Sequence, residues 1–496
     1  MKNNFYDCEK EILEFYLNQE VFMPERNFNV LVNKENMIID KSHINYHGIE
    51  LIIRPECNQK CEYCYIARYG DELYPHAERA NNEQLLSNLD KLLHYIFIEK
   101  NTFHNHFELF AGDLFYDNLY FDILDVFYKY LEPLYKLYPE VFHRNEGLIL
   151  TPSNFSFIHD EEKEKRVDEY IAKFRKINWD LGFSISTDGK YAIDTREQRP
   201  LDDAYFDKLF NFTKKYPRAG FHPIISASNI HNGIKNYEWW KEMYKKYYYD
   251  EEQGWCSRNF LPYWLEARND EWTPEAIQAF CDLLDHMIED RLNLCDNDID
   301  KFAYHLFKGD GANETLPLMT HSDLIDVRLV YGAAFESIGC SLKGLFCINL
   351  GNLTLPPCHR LTYRQFRGGQ FIPNENNSFD LIANNVLSYI NIVGAPNDAL
   401  PQCVNCVFSR VCTKGCFGAQ FEATGEIFQP AITVCELFKT YFGHLIHTYA
   451  RLGVFESAHR QNLINDNDCR IYEDMLTAYK EERRARQEQD KKERFY

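Results

Sequence analysis

The chain has 496 residues, of which 45% are hydrophobic and 26% are charged, and its formal net charge is −21. This length accommodates two domains with buried cores and additional extensions. The negative charge disfavours nucleic acid as a partner, no apolar run reaches the roughly 18 residues of a membrane span, and the amino terminus lacks a secretory-signal pattern. We therefore expect a cytoplasmic protein that binds neither nucleic acid nor membrane.

The predicted elements alternate between strands and helices over the first half of the chain. Residues 1–45 are expected to form an extension with a helix near Glu9–Asn18. Apolar runs then predict the strands Ile49–Ile53, Phe107–Phe110, Gly147–Leu150, Leu181–Ser186, Phe221–Ile225 and Phe260–Leu265. Segments of helical period lie between them, and a helix from Pro274 to about Leu292 follows. This order predicts an α/β fold, a partial (βα)6 barrel with its active site at the C-terminal ends of the strands.

The sixteen cysteines are the most informative feature of the composition. In a reducing compartment, clustered cysteines hold metal more often than they form disulfides. The first cluster, Cys57, Cys61 and Cys64, follows the first predicted strand with the spacing C-x3-C-x2-C. Three thiolates can hold three corners of a 4Fe–4S cube and leave the fourth iron open. A structural zinc site would require a fourth ligand, which the following residues do not supply.

This segment resembles the signature of the radical S-adenosylmethionine (SAM) superfamily, including the aromatic Tyr63 before the last cysteine. The resemblance implies that SAM chelates the open iron and is cleaved to a 5′-deoxyadenosyl radical, which abstracts a substrate hydrogen. It also implies a low-potential electron donor of the flavodoxin or ferredoxin type. We expect the protein to be a monomer.

Other landmarks of that superfamily are present in altered form. Gly112 and Asp113 stand where members usually carry Gly-Gly-Glu-Pro, so Asp113 is a candidate contact to the SAM amino group or, alternatively, an acid at the entry of a helix. Further candidate SAM contacts, each equally compatible with an ordinary loop residue, are Ser153, Ser186, Asp188, Arg196 (or Arg199) and Asn229.

A second cysteine array in the C-terminal half resembles the SPASM domain of peptide- and sulfatase-maturing members. The resemblance implies two auxiliary 4Fe–4S clusters, which brings the expected total to three. The inner set would be Cys340, Cys347, Cys358 and Cys416, and the outer set Cys403, Cys406, Cys412 and Cys435. Each set of four thiolates would also suit zinc. The interval from Gly351 to Cys358 is longer than is usual in that family.

The expected organisation follows from these two arrays. It consists of an N-terminal extension (1–45), the partial barrel (46–275), a helical linker (276–335), a small Cys-rich SPASM domain (336–445) and a C-terminal helix with a charged tail (446–496).

The lead hypothesis for the function is oxidative modification of a ribosomally made peptide or of a protein side chain, which would form a crosslink, a thioether or an oxidised side chain, with the auxiliary clusters accepting the electron. In sulfatase maturases an Asp follows the third cysteine of the inner set, whereas here the neighbour is His359, a candidate base or a donor to cluster sulfur. The alternatives are a SAM-dependent dehydrogenase or epimerase acting on a sugar or another metabolite, and a non-catalytic iron–sulfur scaffold or electron carrier.

Overall fold

The structure is a computed structural model. It describes residues 48–493 except 102, 111, 193–201, 253–254, 257–263, 266–271, 309–344, 377, 386–391, 393–399 and 413–415. The expected N-terminal extension, Arg196, Arg199 and Cys340 therefore lie outside the described residues. The chain divides into two compact units. The first comprises the described residues of Met1–Ser186, Arg196–Gly220 and Ser341–Ala399, and the second those of Thr187–Thr195, Phe221–Cys340 and Leu400–Tyr496.

A six-stranded parallel sheet, which confirms the predicted fold class, is the central feature of the first unit. Its strands are β1 (Gly48–Ile52), β2 (His106–Phe110), β3 (Gly147–Ser153), β4 (Trp179–Ile185), β5 (Ala219–Phe221) and β10 (Leu345–Asn349). The spatial order is β10-β1-β2-β3-β4-β5. Every residue of β1 and β10 is buried, as expected for parallel strands covered on both faces.

The sixth strand of this sheet differs from the one that the sequence predicts. Of the predicted Phe260–Leu265, the structure describes only β9 (Trp264–Leu265), which pairs with β6 (Ile224–Ile225) in a separate two-stranded sheet. The sixth position is taken by β10, which pairs in parallel with β1 although it follows β1 by almost 300 residues. A five-residue segment that itself contains Cys347 and ends in Asn349 carries too little periodicity to be recognised as a strand.

Helices of the first unit follow the strands. They are α1 (Tyr65–Leu73), α2 (Asn82–His94), α3 (Leu119–Leu137), α4 (Pro139–Arg144), α5 (Glu161–Arg175) and α6 (Asp203–Lys215). The helical periods of the sequence predict α2, α3, α5 and α6, but not α1 or α4. Three begin at a side chain that accepts backbone N–H bonds, namely Asn81, Asp160 and Asp202. The unit also contains a hairpin of β11 (Gly369–Pro373) and β12 (Phe379–Ala383).

An aromatic cluster fills the core between this sheet and its helices. Phe115, Phe155, Phe157, Phe183 and Phe212 pack against one another with ring-centroid separations between 4.3 and 6.4 Å. All five side chains are buried. Edge-on and tilted aromatic pairs of this kind add to the stabilisation that burial of their area provides. The cluster thus supports the loops that follow β2 and β3.

The second unit is mainly helical. Its helices are α7 (Gly233–Tyr248), α8 (Pro274–Leu294), α9 (Ile299–Lys308), α10 (Pro401–Val404), α11 (Phe417–Thr424), α12 (Ile432–Leu452), α13 (Val454–Arg460) and α14 (Asp466–Glu493). It also contains the short antiparallel pair of β7 (Tyr249–Asp250) and β8 (Trp255–Cys256). Within the described ranges, no helix has the combination of length and apolarity that crossing a membrane requires.

Helices α12 and α14 pack closely because a glycine lies at their contact. A Cβ atom added to Gly443 of α12 would lie 2.2 Å from the Tyr479 ring of α14. Helix α12 carries Cys435 in its first turn, and α14 carries Glu482 one turn beyond Tyr479. This packing therefore places residues from distant parts of the chain around one site.

Candidate functional site

The loop with the first three cysteines leaves the C-terminal end of β1 and ends where α1 begins. Cys64 precedes the first residue of α1, and its backbone N–H donates to the carbonyl of Cys61 at 3.0 Å. Cys57 is exposed, Cys61 is buried and Cys64 is half-buried. The partial positive charge at the N-terminus of a helix favours a neighbouring thiolate. These thiols thus lie at the C-terminal edge of the parallel sheet, the position that the sequence predicts.

The sulfur of Cys57 receives hydrogen bonds from two neighbours. The backbone N–H of Gln59 donates to this sulfur at 3.4 Å, and the Asn154 amide, from the loop after β3, donates at 3.7 Å. Although the residue as a whole is exposed, its sulfur is largely shielded from solvent, which raises the pKa of the Cys57 thiol; both hydrogen bonds oppose that rise. N–H donors to sulfur are a regular feature of iron–sulfur sites, where they influence the reduction potential. Asn154 directly follows Ser153, in the segment after the third strand that the sequence offers as candidate SAM contacts.

Gly112 holds the loop after β2 against the cysteine loop. Its N–H donates to the carbonyl of Arg54, and the N–H of Asp113 donates to that of Glu56, both at 2.9 Å. A Cβ atom on residue 112 would lie 2.1 Å from the Glu56 carbonyl oxygen and 2.4 Å from that of Pro55. Only glycine fits this backbone approach. The predicted site residue Gly112 therefore supports the conformation of the cysteine loop directly.

Asp113 is fully buried and joins the loops after β2 and β3. Its carboxylate accepts hydrogen bonds from the Phe115 N–H at 2.8 Å, the Asn154 N–H at 3.1 Å and the Ser153 hydroxyl at 3.3 Å. The Ser153 hydroxyl in turn accepts from the Phe155 N–H. Both predicted SAM contacts thus bond to the protein itself. These bonds join the two loops and do not place Asp113 at the entry of α3, which begins at Leu119. Its role in SAM binding stays a prediction.

The other candidate SAM contacts are distributed over both units. Ser186 continues the β3–β4 ladder in the first unit, where its N–H donates to the Ser153 carbonyl at 2.8 Å. In the second unit, Asp188 accepts from the Ile224 N–H at 2.9 Å, and the Asn229 amide donates to the Ile224 carbonyl at 2.9 Å. Tyr63 is buried in the first unit. Asp188 and Asn229 both stabilise β6.

Glu50 and His359 form a polar contact that the sequence analysis did not predict. The Glu50 carboxylate, 1% exposed in the middle of β1, lies 2.8 Å from the Nδ1 atom of His359. The imidazole stacks on the Phe110 ring with a centroid separation of 3.9 Å and an interplanar angle of 9°. One signal was available, a lone carboxylate in the apolar run Gly48–Ile52, because such a residue needs a partner when it is buried.

The structure describes two of the inner-set cysteines in the first unit. Cys347 of β10 lies opposite Glu50 in the strand register. Burial, followed by the neighbouring Glu50 carboxylate, raises the pKa of the Cys347 thiol far above its usual range, and the Cys358 thiol is close enough to contribute. Cys340 lies outside the described residues, and Cys416 belongs to the second unit. The complete inner set therefore stays a prediction.

The four cysteines of the outer set line one cavity in the second unit. The cavity has a volume of about 400 Å³ and is bordered by Cys403, Cys406, Cys412 and Cys435. Cys403 lies in α10, Cys406 and Cys412 flank a short 3₁₀ turn (Val407–Arg410), and Cys435 comes from α12. All four are half-buried. Four thiols around one cavity match the donor set of a fully ligated 4Fe–4S cluster.

Both sites offer thiols, the donors that hold iron–sulfur clusters. Across the described ranges, no three His, Cys, Asp or Glu side chains are arranged to hold one metal ion. A 4Fe–4S cube distributes its thiolates over separate irons, so its ligands need not converge on one point. The first cysteine loop and the outer-set cavity therefore fit the groups that the sequence implies.

No family model and no curated protein sequence matches this chain. Eleven chains of solved structures match it, and two of them cover most of this chain. One is anSMEcpe, an anaerobic sulfatase-maturating enzyme, with bound AdoMet and the Cp18Cys peptide. It has 16% sequence identity to this chain and a TM-score of 0.43, and the match covers 82% of this chain and 98% of that one. The other is SuiB of Streptococcus suis, with 15% identity, a TM-score of 0.38, and coverage of 87% and 88% respectively.

Proposed function

We propose that this protein is a radical SAM oxidoreductase that modifies a side chain of a peptide or protein. The observation that carries the proposal is the C-terminal edge of the parallel sheet. There the C-x3-C-x2-C loop leaves β1 and is held by the backbone of Gly112, while the Cys57 sulfur accepts N–H bonds from Gln59 and Asn154. This is the edge where α/β barrels carry their active sites.

Cys57, Cys61 and Cys64 would hold the first 4Fe–4S cluster and leave one iron for SAM. When bound, this cluster supplies the electron that cleaves SAM reductively and so permits abstraction of a hydrogen atom from the substrate. The protein's part is to fix the cysteine loop through Gly112 and to exclude water by the buried residues around it. The candidate SAM contacts Ser186, Asp188, Arg196 and Asn229 belong to this proposal as predictions.

His359 is the residue that we propose to lie nearest the reacting side chain. Its imidazole is oriented from two sides, by the Glu50 carboxylate and by the Phe110 ring. A third contact comes from the Tyr74 hydroxyl, which donates to the His359 carbonyl at 3.3 Å. A rigidly oriented imidazole beside the C-terminal edge of the sheet is suited to bind or to deprotonate a substrate group.

The auxiliary clusters are proposed to accept the electron that the oxidised substrate loses. The outer set (Cys403, Cys406, Cys412 and Cys435) would hold one cluster, and the inner set (Cys340, Cys347, Cys358 and Cys416) would hold the other. The shared cavity of the outer set supports the first assignment. Full ligation by four thiolates suits electron transfer, because it leaves no iron free to bind substrate.

The proposal is tested by counting iron in protein purified without oxygen and reconstituted with iron and sulfide. Three clusters predict about 12 irons per chain, and the Cys57→Ala, Cys61→Ala, Cys64→Ala variant should retain about 8 at four per cluster. That variant should also fail to form 5′-deoxyadenosine from SAM. The control is Cys469→Ala, which removes a cysteine of α14 outside both arrays and should retain all the iron.

The substrate class requires a second measurement with the same protein. Deoxyadenosine formation should rise when a peptide encoded beside this gene is added, and the peptide mass should fall by two hydrogens for a crosslink or dehydrogenation. A rise with sugars or small metabolites alone would instead establish the metabolite dehydrogenase or epimerase alternative. Wild-type protein with about 4 irons and two zinc ions would remove the electron-accepting role of the second array.

A further inference from the structure

The cavity of the outer set has an ion pair in its wall in addition to its four thiols. Lys439 and Glu482 both border the cavity, and their Nζ and Oε1 atoms are 2.9 Å apart. Lys439 follows Cys435 by one turn of α12, so both side chains lie on the same face of that helix. Glu482 comes from α14, which packs against α12 at Gly443.

The Lys439 ammonium acts electrostatically on the thiols of the cavity. It is close enough to interact with both Cys435 and Cys406, whereas the Glu482 carboxylate interacts unfavourably with Cys435. The two charged side chains are only 31% and 36% exposed. Phe408 and Phe438 contribute apolar wall to the same cavity. Charges in such a partly dry environment interact more strongly than they do in bulk water.

We propose that the Lys439–Glu482 pair sets the reduction potential of the cluster held by the outer set. This inference rests on the proposed function, since it requires that cluster. Reduction adds one electron to the cluster without forming or breaking a bond, and the net charge of the cluster with its four thiolates becomes more negative by one. The Lys439 ammonium stabilises that added charge, and the Glu482 carboxylate opposes it.

The pair has a defined role in the oxidative reaction. The electron that reaches the outer cluster comes from the oxidised substrate radical, and the cluster later passes it to an external acceptor. A higher reduction potential favours acceptance of the electron, and a lower potential favours its release. Lys439 is therefore a tuning residue that acts through the cluster, and Glu482 limits its effect by neutralising part of the charge.

The test is a reductive titration of the reconstituted full-length protein, followed by electron paramagnetic resonance. Lys439→Met removes the ammonium and should lower the equilibrium constant for reduction of one cluster by about tenfold, which is about 59 mV for a one-electron couple. Glu482→Gln should shift the same component in the opposite direction. Lys439→Arg keeps the charge and should stay near the wild-type potential.

The opposite signs distinguish electrostatic tuning from structural damage. Loosening of the cavity would move both variants in the same direction or would release iron from both. The control is Lys301→Met, which breaks the exposed pair of Lys301 with Asp296 in the same unit and should leave all potentials unchanged. Iron content, measured for every variant, shows whether the cluster is still present.

Two results would overturn the inference, and they differ in their consequence for the proposed function. Full iron content with an unshifted component in both Lys439→Met and Glu482→Gln would refute the tuning role alone. A Cys412→Ala variant that retains the iron content of the wild type would show that the cavity holds no cluster. That result would refute the tuning role together with the assignment of the outer set. If Lys439→Met loses the cluster, the question is still decided by Glu482→Gln, whose potential should rise, compared with Lys439→Arg, whose potential should stay near that of the wild type.

Discussion

Substitution of Gly112 by alanine probes the contact that holds the first cysteine loop. The added Cβ would lie 2.1 Å from the Glu56 carbonyl oxygen and 2.4 Å from the Pro55 carbonyl oxygen, whereas ordinary van der Waals contact begins at 3.4 Å. Both obstacles are backbone atoms, which cannot rotate away as a side chain can. To restore ordinary contact with the Glu56 oxygen, one of the two loops must move by ~1.3 Å, the difference between 3.4 and 2.1 Å.

The expected cost follows from the packing and from two hydrogen bonds. Overpacking of a filled site costs about 1–3 kcal/mol. Separation of the loops also weakens the bonds from Gly112 N–H to Arg54 and from Asp113 N–H to Glu56, each of which contributes about 1 kcal/mol. We therefore expect Gly112→Ala to lower the free energy of unfolding of the first unit by about 3–5 kcal/mol. The displaced loop should also lose its cluster, about 4 irons per chain.

Iron content after anaerobic reconstitution and chemical denaturation of the apoprotein measure the two effects separately. The matched control is Gly220→Ala in β5, where an added Cβ has no heavy atom within 4 Å. Alanine there should change the stability by less than about 1 kcal/mol and leave the iron content unaltered. Gly112→Ala protein with wild-type stability and all its iron would refute the close approach of the two loops.

Three further substitutions test other contacts. Asp113→Asn should destabilise the apoprotein by about 2–4 kcal/mol, because an NH₂ donor replaces one of the carboxylate oxygens that accept N–H or O–H bonds. An unchanged denaturation midpoint with weaker SAM binding would instead show that Asp113 serves SAM binding. Burial lowers the pKa of His444, but hydrogen bonds to Asp285 and Cys281 outweigh it and raise the pKa to about 9. Because the folded pKa exceeds the unfolded value, the stabilisation of up to about 3 kcal/mol is complete below about pH 6.5. This stabilisation is lost as the pH rises through 9, so the melting temperature of the wild type should fall over that range and that of His444→Gln should not. An equal fall of the melting temperature with pH in both proteins would contradict the raised pKa of His444. Gly443→Ala places a Cβ 2.2 Å from the Tyr479 ring and should cost about 1–3 kcal/mol, and an unchanged melting temperature would show that α12 and α14 do not pack at this point.

The sequence by itself predicts the features that depend on local spacing. The alternation of apolar runs and helical periods predicts the strands β1 to β4 and the helices α2, α3 and α5, because these periodicities follow from backbone geometry. The thiols of Cys57, Cys61 and Cys64 are confined to one loop by the covalent chain, so their spacing is informative without a structure. Gly112, by contrast, is predicted only as part of a motif that contacts SAM, and its close backbone approach to Pro55 and Glu56 is known from the structure alone.

Features that join distant parts of the chain depend on tertiary packing. The position of β10 beside β1, the pairing of Glu50 with His359 and the entry of Lys439 and Glu482 into the outer-set cavity have no local sequence pattern. Each arises because two elements bury apolar surface against each other, and this packing brings the polar side chains of both elements into contact. The sequence alone thus determined which residues can bind clusters. The tertiary structure decided which charges and aromatic rings surround those residues, because the surroundings of a site depend on packing between elements far apart in the chain.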